Sequence, residues 1–139
     1  MKRVLIFGVF DFLHPGHIAF IKEAKSYGDE LIAVIARDMS VVELKGRKPH
    51  DTEIERMRAV QGVSEVDKVV LGDSVQGTYS AIEKFYPQIL CFGYDQENLF
   101  NDVESRIKKG ICKKMTLIRC SAHKPKEYKS SLARSEIEK

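Results

Sequence analysis

The chain has 139 residues, 43% of them hydrophobic and 31% charged, a balance that excludes a wholly disordered chain and fits one domain. A net charge of +3, from 23 Lys+Arg against 20 Asp+Glu, is too small an excess to mark a nucleic-acid binder, yet suits an anionic small molecule if the basic residues converge. No apolar run approaches the ~20 residues that cross a bilayer, and the basic start at Lys2 and Arg3 leads into an apolar run broken at Gly8, unlike a secretory signal.

Residues 4–7 form a continuous apolar run, as expected of a strand buried on both faces. After Gly8 comes a short loop, and Pro15 stands where a helix begins, because its missing N–H costs nothing there. Ile18, Ile21 and Ala24 follow at helical spacing, with Gly28 as the expected C-terminal cap. Residues 31–36 read as strand two. The polar stretch 37–50 reads as a loop with one helical turn over 41–44. Thr52 and Glu55 have capping-box spacing, and Ile54, Met57 and Val60 continue a helical stripe.

Residues 66–71 predict strand three, 78–85 a short helix stopped before Pro87, and 89–92 strand four, ending at Gly93. Phe100, Val103 and Ile107 mark a helix that stops at Gly110, and 115–118 predict strand five. A polar loop through Pro125 leads to Ser130, placed to cap a last short helix. Strands alternating with helices predict an α/β fold: a single domain over 1–139 with a doubly wound, five-stranded parallel sheet. Such a domain buries roughly two-thirds of its unfolded surface and needs no disulfide or metal staple. Three cysteines, Cys91, Cys112 and Cys120, lack CxxC spacing and cannot all pair. They point to a reducing, cytoplasmic compartment and to structural or incidental thiols.

Ligands of doubly wound sheets bind beyond the carboxyl ends of the strands, where strand order reverses. The loop after strand one, Gly8-Val9-Phe10-Asp11-Phe12-Leu13-His14-Pro15-Gly16-His17, belongs there. His14 and His17 are three apart at the start of the helix, a spacing that puts both rings on one side. A helix N-terminus offers free N–H groups and partial positive charge to a phosphate, and Gly16 leaves the approach open. Two histidines at this spacing also occur incidentally or as a metal pair. Neither GxGxxG nor GxxxxGK[ST] fits the segment.

GVFDFLHPGH resembles the GxFDxxHxGH signature of the cytidylyltransferase-like nucleotidyltransferases, and the resemblance runs through essentially the whole chain. The basic loop LKGRKP (44–49), Arg56, the GYDQ element (93–96) and the paired Ser130-Ser131 are similar to further motifs of that superfamily. Among its branches the chain looks most like the archaeal-type FAD synthases, above all over ELIAVIARDMSVVELKGRKP (30–49). Val9 stands where many relatives have Thr, so a hydroxyl contact is lost while the backbone N–H of Val9 or Phe10 can still serve. Arg119 is followed by a longer Lys-rich connection, with Lys129 beside the serines, than the glycerol-3-phosphate cytidylyltransferases show.

The resemblance implies a Rossmann-like HxGH fold and transfer of AMP from ATP to FMN, with release of pyrophosphate. It leaves ATP against CTP open. It implies a divalent cation such as Mg2+, held by substrate and water without a dedicated protein cage, and homodimers in some branches. It assigns His14, His17 and Lys45 to catalysis. Val9, Phe10, Pro15, Gly16, Asp95, Arg119, Ser130 and Ser131 join the two histidines in nucleotide binding. Arg47, and with it Lys48, is a further phosphate contact. Asp11 orients the loop, meets a phosphate-bound water or metal, or caps local N–H groups. Arg56 pairs with phosphate or with a nearby acid. Phe10, Phe12, Phe92, Tyr94 and Phe100 are candidates for a flavin pocket, although aromatics near strand ends more often pack in the core. The alternatives are a cytidylyltransferase for glycerol 3-phosphate, a sugar phosphate or another small phosphate, and a non-catalytic nucleotide-binding module.

Overall fold

The computed structural model describes residues 2–75 and 77–120. Five parallel strands, β1 (Arg3–Gly8), β2 (Glu30–Ile35), β3 (Lys68–Leu71), β4 (Ile89–Phe92) and β5 (Thr116–Arg119), form one sheet in the order β3-β2-β1-β4-β5. Five helices connect them: α1 (Pro15–Lys25), α2 (Asp38–Lys45), α3 (Glu53–Gln61), α4 (Ser80–Phe85) and α5 (Glu97–Lys108).

Both faces of the central strands are covered, which explains their unbroken apolar runs. Val4 and Ile6 of β1 pack with Phe20, Ile21 and Ala24 of α1 and Val60 of α3. Leu5, between them in sequence, faces the other way and joins Ile82 and Phe85 of α4 and Phe100 and Val103 of α5. This period-two alternation places α1 and α3 on one face and α4 and α5 on the other, the doubly wound arrangement that the sequence predicts.

Several local expectations are corrected. Gly28 does not cap α1: the helix closes at Ser26, whose N–H reaches back to the carbonyls of Lys22 and Glu23. A Cβ on Gly28 would lie 2.6 Å from Val4 Cγ2 and 2.8 Å from the Lys2 carbonyl oxygen, so close packing against the start of β1 demands the glycine. The stretch expected as a loop with one turn is a helix, α2, ended by Gly46 at φ 76°, a left-handed cap. Its apolar Met39, Val42 and Leu44 are exposed, which blurs the periodicity that would announce a helix. Ile54 is also exposed, whereas Val60 and, unexpectedly for a charged side chain, Arg56 are the fully buried residues of α3. The Thr52–Glu55 capping box forms as expected, with Glu55 N–H on Thr52 Oγ1 and Thr52 N–H on Glu55 Oε1. The expected last helix lies outside the described residues.

Candidate active site

Strand order reverses between β1 and β4: the chain moves outward from β1 through β2 to β3, then returns to β4 on the other side of β1. In open α/β sheets ligands bind beyond the carboxyl ends of the strands at such a reversal, here β1 and β4. Gln96 of the GYDQ element bridges the ends of these two strands. Its Nε2 donates to the Phe7 carbonyl at 2.8 Å, and its Oε1 accepts from Gly93 N–H at 2.8 Å. Asp95, exposed, sits next to this bridge.

The loop from β1 to α1 is built under strain. Phe10 and Phe12 both take left-handed backbone conformations, with φ of 55° and 50°, at a cost of order 1–3 kcal/mol each. Phe10 turns its ring into the core, where it fills the space beside Gly8: a Cβ there would lie 2.5 Å from Phe10 Cε2. The same ring meets His17 edge-on at 5.4 Å and stacks on Phe20 at 6.4 Å. Phe12 turns outward.

His14 caps α1. Its Nδ1 accepts from Gly16 N–H at 3.1 Å and from His17 N–H at 3.4 Å, and His17 Nδ1 accepts in turn from His14 N–H at 3.4 Å. The two rings stack, with centroids 3.9 Å apart and planes 18° from parallel. An Nδ1 that accepts a backbone N–H carries no hydrogen, so the ring proton resides on Nε2. The local structure thus sets two Nε2–H donors side by side at a helix N-terminus, an arrangement suited to phosphoryl oxygens. Pro15 occupies the first helical position and Gly16 is buried.

Arg56 fastens this loop from behind. Its side chain is fully buried. Nη1 donates to the Val9 carbonyl at 2.9 Å, Nη2 to Asp38 Oδ1 at 2.7 Å, and Nε to the Asp51 carbonyl at 3.1 Å. Of the two partners expected for Arg56, the acid is Asp38. Asp11 supplies a second bracket between the same segments, accepting from His50 N–H at 2.7 Å and Asp51 N–H at 2.9 Å. Asp11 therefore caps backbone N–H groups of another loop rather than its own. Among the described residues, Asp11, His50 and Asp51 also bring metal-ligating atoms within 4.8 Å of one another. Sequence reasoning missed His50 and Asp51, because a bracket 39 and 40 residues long leaves no local periodicity.

Lys45 ends α2, and Arg47 and Lys48 follow on the adjacent loop; all three are exposed. At the β5 end of the sheet Arg119 holds Glu97 through two hydrogen bonds, at 3.1 and 2.9 Å, and lies 3.7 Å over the Phe100 ring. Beside it, Cys120 is buried, and its thiol is pushed far up by the hydrogen-bonded Cys91 and by burial, as befits an inert core thiol. After β3, the hydroxyl and N–H of Ser80 and the hydroxyl of Thr78 hold the Asp73 carboxyl below the usual range. Ser130 and Ser131 lie outside the described residues.

The fold and loop geometry define an HxGH nucleotidyltransferase, and comparison with known proteins agrees. Residues 5–136 match the cytidylyltransferase-like family, to which the chain belongs. An FAD synthase from Aciduliprofundum boonei is 42% identical over 109 residues, covering 78% of this chain and 72% of the relative. An FAD synthase from Ferroglobus placidus is 36% identical and covers 99% of this chain and 93% of its own. Among solved structures, a lipopolysaccharide core biosynthesis protein from Thermoplasma volcanium superposes with a TM-score of 0.76 at 34% identity, covering 89% of this chain and 99% of that one. No helix among the described residues is long and apolar enough to cross a membrane.

Proposed function

We propose that the protein is an FAD synthase, which transfers the AMP moiety of ATP to FMN, forms FAD and releases pyrophosphate. The observation that carries this is the stacked His14–His17 pair at the start of α1, in a chain 36–42% identical to archaeal proteins named FAD synthase. A phosphate monoester is already an anionic nucleophile at neutral pH and needs no strong base. An oxygen of the FMN phosphate attacks the α-phosphorus of ATP, the bond to the bridging oxygen breaks, and pyrophosphate departs with the electron pair. The protein's task is to align two anions and stabilise the charge that builds on the phosphoryl and leaving oxygens.

The roles divide by position. The Nε2–H groups of His14 and His17, with the α1 N-terminus around Gly16, hold α- and β-phosphoryl oxygens. Backbone N–H groups of Val9 and Phe10 serve where a hydroxyl is lacking. Lys45 and Arg47 bring positive charge over the phosphates. Asp95 meets the ribose, and Arg119 and the paired Ser130-Ser131 complete the nucleotide site. Arg56 positions the loop through Val9 and does not itself touch substrate. A divalent cation entering with ATP would neutralise phosphate charge, held mainly by substrate and water, with the carboxylates of Asp11 and Asp51 as the nearby oxygen donors. The same proposal takes 1–139 as one domain, working in the cytoplasm and able to pair as a homodimer.

The test is pyrophosphate release in Mg2+ with ATP or CTP and a panel of acceptors headed by FMN, the products being separated chromatographically. FAD formed with ATP is the expected result. Turnover of glycerol 3-phosphate or a sugar phosphate, with none of FMN, would replace this substrate by the cytidylyltransferase alternative. Tight ATP binding without pyrophosphate release for any acceptor would leave only a nucleotide-binding module.

A further inference from the structure

Phe12 is an apolar side chain that the fold presents to solvent at the mouth of the site. It is 57% exposed, although its backbone is held in the left-handed region at φ 50°. One face of its ring is covered: it stacks on His50 with centroids 3.8 Å apart and planes 28° from parallel. His50 cannot drift away, since its own N–H is fixed to Asp11 Oδ2 at 2.7 Å and its Nδ1 lies 2.8 Å from Asp51 Oδ1. The result is a braced aromatic platform with its second face turned outward. Of the other candidate aromatics near the strand ends, Phe10, Phe92 and Phe100 are buried core residues, exposed by 4%, 1% and 7%, and Tyr94 is half-buried. Tyr86, also exposed, precedes β4 and so lies at the opposite end of the sheet, under the Lys113 ammonium.

We propose that the Phe12–His50 stack is the platform for the isoalloxazine ring of the acceptor, an inference that rests on the FAD synthase reading. Position supports it. Phe12 is two residues from His14, so their Cα atoms lie at most about 7 Å apart. A flavin phosphate placed to attack the α-phosphorus that the histidines hold carries its ring at the end of the ribityl chain, a separation of the same order. Chemistry supports it too: a flat, electron-poor heteroaromatic ring gains from stacking on a phenyl face, and stacking excludes water from both. A small acceptor such as glycerol 3-phosphate has no ring to place there.

The test uses the full chain and two variants. Phe12→Asn removes the aromatic face while keeping a residue that tolerates the left-handed backbone, and Phe12→Trp enlarges the face. Titration of FMN fluorescence and steady-state kinetics are read for each. Phe12→Asn is expected to weaken FMN about tenfold, in both Kd and KM, the scale of one lost base–aromatic stack, with KM for ATP unmoved. Phe12→Trp is expected to bind FMN at least as tightly as wild type. Unchanged FMN affinity in Phe12→Asn, with wild type making FAD, overturns the platform and leaves the enzyme's identity intact. Equal weakening of FMN and ATP overturns it as well, since Phe12 would then act only through loop shape. A wild-type chain silent toward FMN removes the FAD synthase reading and the platform with it.

Discussion

The buried guanidinium of Arg56 donates to the backbone carbonyl of Val9, 47 residues earlier, at 2.9 Å. Through that bond helix α3 holds the loop that delivers His14 and His17, and through Asp38 and the Asp51 carbonyl it holds both ends of the α2–α3 segment as well. Arg56→Ala would leave these acceptors without their donor. The expected loss is about 3 kcal/mol, the low end for breaking a buried pair, because Asp38 is partly exposed. Arg56→Lys is expected to fail nearly as badly, since one ammonium cannot reach three acceptors arranged for a planar fork. Urea denaturation should show midpoints lowered by about 1–2 M. A midpoint within error of wild type for Arg56→Lys would refute the clamp.

His14 has two separable duties, capping α1 and presenting Nε2–H. Asn is a good N-cap but lacks a donor at the Nε2 position. His14→Asn should therefore keep wild-type stability, while His14→Ala loses about 1 kcal/mol. Both are expected to cut turnover about 100-fold, the scale of one preorganised donor. His17→Ala should show the same loss of turnover with folding near normal. Turnover at the wild-type level in His14→Asn would show that capping is all this side chain does.

The sheet and the histidine pair are legible in the sequence because both are written locally. Strands buried on two faces give runs such as Val4-Leu5-Ile6-Phe7, and a helix start gives Pro15 between two histidines three apart. What escaped depends on contacts between distant segments. The bracket of Asp11 to His50 and Asp51, and the clamp of Arg56, join residues some 40 to 47 positions apart. The sequence offers Arg56 a phosphate or a nearby acid; that the acid is Asp38, and that the Val9 and Asp51 carbonyls join it, depends on the tertiary contacts. Helix α2 escaped for another reason: Met39, Val42 and Leu44 face solvent, so its apolar residues do not trace one buried stripe.

Gly28, expected as a helix cap, is required for close packing, and the left-handed helix cap is Gly46. A Cβ at Gly28 would strike Val4 Cγ2 and the Lys2 carbonyl, in a core and backbone setting that cannot easily yield. Gly28→Ala is expected to destabilise by about 1–3 kcal/mol. At Gly46 nothing lies within 4 Å, but φ is 76°, so Gly46→Ala should cost only about 1 kcal/mol of backbone strain. Gly46→Asn should cost less, because Asn tolerates this conformation. Thermal denaturation of the three variants gives the order, and a Gly28→Ala protein as stable as wild type would contradict the packing account.

Asp67 ties the end of α1 to the start of β2, accepting from Lys25 Nζ at 2.7 Å and from Leu31 N–H at 2.8 Å. The Lys25 hydrogen bond foremost, then the Leu31 N–H, holds its carboxyl below the ordinary value. A carboxyl lowered in the folded state resists protonation more there than in the unfolded chain. Its contribution is therefore complete above the unfolded value of about 3.9 and is lost as pH falls through the lower, folded value. Since the carboxylate is 41% exposed, solvent screening limits the gain to under about 1 kcal/mol at neutral pH. Asp67→Asn should thus be slightly less stable than wild type at pH 7, with a deficit that shrinks below about pH 4 and is smaller in high salt. Denaturant titrations of both proteins across that range check it. A deficit of constant size down to the acid limit would mean that the charge on Asp67 is not what joins the two elements.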